Sequence, residues 1–244
     1  MKKIVSEWNG FKAETFEFDG KRATVTFPDN PIPEKKWLFK TEYINAFPSF
    51  EIEMLKRGYF IANIENETRW CLESDTQRQI EFAKFLQKEY GLNKKCLPVG
   101  MSCGGMQAVY LAAKAPYLTA GLYLDAPVLN LLSCPCGIGM AKDTLGDMYR
   151  EYVVATGSSV SELINYRKHP IDYVDVLIDN NIPIFLICGD SDDTVPYEEN
   201  GKILYEKYLE SGKDITLVLK QGCNHHPHGL TDNSQLIDFA LRVY

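Results

Sequence analysis

Pro183-Ile184-Phe185-Leu186-Ile187-Cys188 is an unbroken apolar run, closed by Asn181 before it and Gly189 after it. A run this short with no polar face fits a β-strand covered on both sides, as in a parallel sheet lying between helices. Residues 59–64, 96–100, 121–125 and 215–219 have the same apolar character. Helical patterns fall between them, at 50–57, 76–90, 105–115, 202–210 and 234–243. In 76–90, Phe82, Phe85 and Leu86 share one face, with Ala83 and Tyr90 at its edge and Ile80 off it. Gly91 stands where a left-handed C-terminal cap is expected. Ahead of this alternation, the runs 11–18 and 22–27 flank Asp19-Gly20, a hairpin signal. A proline-rich loop then leads to the short run Trp37-Leu38-Phe39. An antiparallel start followed by βαβα units predicts an α/β fold, a mixed and mostly parallel central sheet flanked by helices. Pro98 falls inside a central strand and is expected where the ladder makes no use of its missing N–H.

More than 50 residues separate the strand ending at Asp125 from the one opening at Pro183. Inserts of this length inside a compact domain are usually lids or binding loops. Residues 128–180 are therefore expected to form a cap, with a helix near 171–178, within a single domain of residues 1–244.

Composition narrows the function classes. The chain has 33 acidic and 26 basic residues, a net charge of −7, and so no cationic footprint for nucleic acid. No apolar run approaches the roughly 20 residues that span a bilayer, and the first residues lack the apolar stretch of a signal peptide. Seven cysteines, an odd number, do not read as a disulfide framework. The expectation is a reduced, cytoplasmic protein with no membrane or nucleic-acid partner.

The chemistry centres on Gly100-Met101-Ser102-Cys103-Gly104-Gly105, which a buried strand enters and a helix leaves. That setting is the one a nucleophile elbow requires; a Gly-rich turn holding phosphate is the other reading. A serine hydroxyl needs a base within hydrogen-bonding reach. Of the four histidines, His225, His226 and His228 lie together after the last predicted strand, in Gly222-Cys223-Asn224-His225-His226-Pro227-His228. Loops at the carboxyl ends of parallel strands converge on one edge, so a histidine there can face Ser102. A zinc site is the competing reading, although the cluster lacks the spacing and the carboxylate companion of helical zinc motifs. A carboxylate to orient the base is offered by Asp190, Asp192 or Asp193, in the loop after the 183–188 strand. The order Ser…Asp…His is that of an α/β-hydrolase.

These three motifs together resemble the α/β-hydrolase superfamily, and within it the esterases and prolyl-oligopeptidase-like hydrolases. The resemblance implies Asp192 as the acid, from the pattern Gly-x-x-Asp-x-x-Val-Pro, and His225 as the base, three residues after the loop glycine. It implies an oxyanion hole formed by the N–H of Cys103 and a second N–H near Lys40 or Thr41, since the His-Gly-Gly-Gly motif of lipases is absent. Trp37, Trp70 and His226 are expected at the substrate. The implied reaction is hydrolysis of carboxylic esters of small substrates, without metal or organic cofactor. A peptidase or amidase, or a non-catalytic binding protein on the same fold, is the alternative.

Overall fold

The computed structural model describes residues 2–142 and 146–244. Its strands are β1 (Ile4–Trp8), β2 (Phe11–Phe18), β3 (Lys21–Thr26), β4 (Trp37–Lys40), β5 (Phe60–Ile64), β6 (Leu97–Met101), β7 (Leu122–Asp125), β8 (Ile184–Gly189) and β9 (Ile215–Lys220). They form one sheet in the order β1-β2-β3-β5-β4-β6-β7-β8-β9. The pairs from β1 through β3 to β5 are antiparallel, and every pair from β5 to β9 is parallel. The architecture is the α/β-hydrolase fold.

Alternate residues of a strand face opposite sides of the sheet, and the core divides accordingly. Leu38, Ile61, Val99, Tyr123 and Phe185 pack on one face against α1 (Ser49–Lys56) and α8 (Ser234–Val243). The neighbouring residues Phe39, Ala62, Leu124 and Leu186 face the other way. They are covered by α2 (Glu73–Tyr90), α3 (Cys103–Lys114), α6 (Val174–Asp179) and α7 (Gly201–Ser211). The long segment between β7 and β8 also carries α4 (Asp147–Thr156) and α5 (Val160–Asn165), neither of which the periodicity announces.

Several elements differ from expectation for physical reasons. β1 is an added edge strand whose Ile4 and Val5 are exposed, so it has no burial pattern to read. Its signal is the turn: Asn9-Gly10 has φ of 49° and 87°, and Asp19-Gly20 has 49° and 73°. Both follow the left-handed geometry of two-residue hairpin turns. Helix α2 starts at Glu73, earlier than its apolar face suggests, because the buried Asp75 carboxylate accepts the Leu72 N–H at 3.0 Å and the Glu67 N–H at 2.7 Å. Ile80 is buried in the same cluster as Phe82 and Leu86, so the covered arc of α2 is wider than one stripe. Gly91 does cap α2 in the left-handed region, at φ 65°.

Pro98 sits in an irregularity of the ladder. Cys96 pairs with Thr119, whereas the regular β6–β7 pairing begins at Val99 opposite Tyr123. Three steps on one strand therefore meet four on the other, as in a β-bulge. The Val99 carbonyl accepts the N–H of Thr41, the residue just past β4, so Pro98 faces β7, where the mismatch leaves its absent donor without a ladder role.

Trp37 requires a correction. It is fully buried at the start of β4, packs on Phe39 at 5.5 Å, and donates its indole N–H to the Asn93 carbonyl at 3.0 Å. The site described below lies at the carboxyl ends of the strands, so Trp37 is a core residue at the other end of the sheet.

Candidate active site

Ser102 stands at the carboxyl end of β6 and enters α3 with φ 54° and ψ −120°. A non-glycine residue held there costs roughly 1–3 kcal/mol and persists only when its surroundings dictate it. Here they do. Ser102 N–H donates to the Asp125 carbonyl at 2.9 Å, and the Ser102 carbonyl accepts from Gly105 N–H at 2.9 Å and Val128 N–H at 3.1 Å. A Cβ at Gly100 would lie 2.4 Å from the Gly104 carbonyl oxygen, so the turn closes only with glycine there.

The histidine loop follows β9 and the acid loop follows β8. His225 Nε2 lies 3.0 Å from Ser102 Oγ, and His225 Nδ1 lies 2.8 Å from Asp192 Oδ2. Asp192 Oδ1 accepts the N–H groups of Thr194 at 2.9 Å and Val195 at 2.7 Å, which fixes the carboxylate in its turn. The other acidic candidates serve the frame. Asp190 accepts from Gly222 N–H at 2.7 Å, and Asp193 pairs with Lys142 at 3.2 Å. The two loops touch so closely that a Cβ at Gly189 would lie 2.2 Å from the Cys223 carbonyl oxygen.

The three neighbouring histidines have different partners. His228 Nδ1 lies 2.9 Å from Asp125 Oδ1, at the end of β7, and Gly229 N–H and Tyr123 Oη donate to Asp125 Oδ2. His226 is exposed and stacks on Phe47. Its imidazolium is disfavoured first by partial burial and then by His228 and His225, and its pKa is lowered. The fourth histidine, His169, bridges Leu131 N–H and the Leu163 carbonyl, well apart in role from this group.

Cys103 is buried, and burial pushes its thiol up to about 11 despite the nearby Arg69 guanidinium. A thiol that weakly acidic is not a thiolate at neutral pH. Its main chain matters more: Cys103 is the first residue of α3, where an N–H has no intrahelical acceptor. The same helix end directs its positive dipole at Ser102.

Lys40 is not placed to supply the second N–H. It lies within β4, and its carbonyl accepts from the Asn63 amide on β5. Its ammonium is fully buried against Glu51, which also removes it as an anchor for a substrate anion. Thr41 N–H is spent on the Val99 carbonyl at 3.1 Å. The ladder ends there, and the next donors belong to Glu42 and Tyr43, whose N–H groups have no acceptor among the described residues. Tyr43 has φ 52° and its phenol lies beside Cys103 and Arg69. Burial raises the phenol well above its usual range, so it keeps its proton. The sequence stretch containing Tyr43 offered no motif by which to single it out.

Trp70 is buried in an apolar cluster with Cys103, Val128, Leu131, Cys134 and Val195, and packs edge-on against Tyr152 of α4 at 5.6 Å. This cluster forms the wall next to the Ser102 elbow. Cys134 and Cys136 are buried within it, and all seven cysteines are free thiols.

A serine at a strand-to-helix elbow, on this sheet and in this order of elements, gives the chain the α/β-hydrolase fold with a candidate Ser-His-Asp site at its carboxyl edge. Residues 73–244 match the prolyl oligopeptidase family, and the chain belongs to that family. Solved structures with the same fold include the acylaminoacyl peptidase of Pyrococcus horikoshii (TM-score 0.70, 18% identity), of which the match covers 90% of this chain and 40% of the other. Dipeptidyl peptidase 4 of Porphyromonas gingivalis aligns with TM-score 0.66 and 14% identity, over 99% of this chain and 34% of its own. The esterase Est1E of Butyrivibrio proteoclasticus aligns with TM-score 0.63 and 15% identity, over 99% of this chain and 98% of its own. The chain thus spans two fifths or less of these two peptidases and nearly all of the esterase. Among the described residues no helix is long and apolar enough to cross a membrane.

Proposed function

We propose that the protein is a serine peptidase or amidase that cleaves short acylated or peptide substrates through an acyl-enzyme. The family match over residues 73–244 carries the choice of amide over ester. In this reading Ser102 Oγ attacks the acyl carbon while His225 Nε2 takes its proton. Asp192 holds the His225 Nδ1–H and stabilises the imidazolium that forms. His225 then protonates the departing nitrogen, and water, activated by the same histidine, releases the acid. The N–H of Cys103 and the hydroxyl of Tyr43 donate to the oxyanion, each worth on the order of 3–4 kcal/mol in the transition state. The apolar wall of Trp70, Val128, Leu131 and Val195 favours an uncharged side chain on the acyl group.

Ester hydrolysis is the second reading, favoured by the near-complete overlap with Est1E. The two share every step, and only the leaving atom that His225 protonates differs, nitrogen in an amide and oxygen in an ester. A fluorophosphonate probe should label the wild type and not Ser102→Ala; labelling that persists in the variant refutes the nucleophile. Matched p-nitroanilide and p-nitrophenyl ester series with the same acyl groups then decide between the bonds. Turnover of esters alone would replace the amide reading.

A further inference from the structure

His225, His226 and His228 each present a ring nitrogen, and the three atoms lie within 4.8 Å of one another. Their ring centroids are 4.8–5.0 Å apart, each pair edge to face. Two of the rings are held from behind: His225 Nδ1 on Asp192 at 2.8 Å, and His228 Nδ1 on Asp125 at 2.9 Å. A carboxylate accepting the N–H of an imidazole is the support that orients zinc-bound histidines and raises their basicity. Both carboxylates are buried, so this support is built into the core. The third ring, His226, is exposed, stacks on Phe47 and makes no side-chain hydrogen bond among the described residues.

We propose that this loop is an inhibitory Zn²⁺ site. The ion would bind Nε2 of His225, Nε2 of His228 and one nitrogen of His226, with water as the fourth ligand. Imidazole donors suit zinc and other borderline ions over calcium or magnesium. A tetrahedral zinc with bonds of about 2.0–2.1 Å sets nitrogens about 3.4 Å apart, so the cluster must contract by at most about 1.4 Å. Rotation of His226 closes its own distances to the other two rings, and a small shift within the 225–228 loop closes the distance between His225 and His228 while each keeps its carboxylate. No bond is made or broken in the protein. The lone pair of His225 Nε2 that accepts the Ser102 hydroxyl becomes a metal ligand, and Ser102 loses its base. The inference goes beyond the hydrolytic reading and does not depend on which bond is cleaved.

The test titrates Zn²⁺ into chelator-stripped full chain by calorimetry, with Co²⁺ absorption as a report of tetrahedral nitrogen ligation. One ion per chain is expected, in the wild type and in Ser102→Ala alike. His226→Ala and His228→Ala should each weaken binding about tenfold or more, and Asp125→Asn about 10–100-fold, as for other supports of zinc-bound histidines. Cys134→Ser and Cys136→Ser should leave it unchanged. Circular dichroism melts verify that each variant is folded; His226→Ala alters only an exposed ring, so its result decides if His228→Ala or Asp125→Asn unfolds. Zinc should also block fluorophosphonate labelling of the wild type, reversibly by chelator. No binding, unchanged affinity in His226→Ala, or affinity lost only in the cysteine variants would overturn the proposal. The binding arms read out without any substrate, so failure of the peptidase reading leaves them decisive.

Discussion

His228 Nδ1 meets Asp125 Oδ1 at 2.9 Å, which ties the histidine loop to the carboxyl end of β7. Beside it, His225 meets Asp192 at 2.8 Å, with the two imidazoles only 4.9 Å apart. The loop that carries the candidate base is therefore fastened at two points to buried carboxylates, Asp125 at the end of β7 and Asp192 in the loop after the neighbouring β8. One fastening orients His225, and the other keeps the loop from lifting off the sheet.

Asp125 should show itself in the pH dependence of stability. Burial pushes its carboxyl up, but His228 and the Gly229 N–H pull it further down, and the net shift is below the usual value. A carboxylate depressed in the folded state stabilises the protein above its unfolded pKa of about 3.9, and that stability is lost as pH falls through the folded value. Thermal melts of wild type and Asp125→Asn should differ most above about pH 5 and converge towards about pH 2. His228→Ala, which leaves the buried carboxylate without its imidazole, should cost about 3 kcal/mol at neutral pH. A gap that stays constant down to low pH would contradict the assignment.

Ser102 should trade stability for activity. Ser102→Gly relieves φ 54° and should gain about 1 kcal/mol in denaturant unfolding while abolishing turnover. Asp192→Asn should keep the fold and lower kcat by about 10⁴-fold, because the wrong imidazole tautomer then faces the serine. Retention of most activity in Asp192→Asn would move the acid elsewhere.

Tyr43→Phe removes a hydroxyl that has a protonated donor beside Cys103. If that hydroxyl binds the oxyanion, kcat should fall about 10²–10³-fold with little change in KM. A rise in KM at constant kcat would instead mark Tyr43 as a ground-state contact.

Lys40 and Glu51 form an ion pair that is essentially fully buried, and Glu51 Oε2 has no partner among the described residues. Lys40→Ala should therefore destabilise by about 3–5 kcal/mol, since it strands a buried charge. The double variant Lys40→Met/Glu51→Leu should recover most of that loss. Equal destabilisation in the single and double variants would show that the pair is not the source.

Gly189→Ala places a methyl 2.2 Å from the Cys223 carbonyl, where only backbone can give way. The expected cost is about 1–3 kcal/mol, and displacement of the histidine loop should lower kcat as well. A variant with wild-type kcat and melting temperature would show that the loops have room to separate.

Local signals in the chain set most of the architecture. The apolar runs at 59–64, 96–100, 121–125 and 183–188 became central strands, because burial on both faces leaves little room for polar positions, while 215–219 became the half-buried edge strand β9. Asp19-Gly20 marked its hairpin through backbone geometry that few residues tolerate. Gly-x-Ser-x-Gly-Gly marked the elbow for the same kind of reason, since the turn excludes a Cβ at Gly100. Long-range facts were not legible this way. Choosing His225 over its neighbours depends on which ring reaches Ser102 across a gap of 123 positions, and choosing Asp192 over Asp190 and Asp193 depends on which carboxylate then meets His225. Trp37 looked like a substrate residue by type, and only its position at the far end of β4 removed it. The pairing of Asp125 with His228 joins residues 103 positions apart and left no local trace. Sequence dictates burial period and turn geometry, which are properties of neighbouring residues. Tertiary structure decides which loops meet at the sheet edge, because that follows from strand order and register.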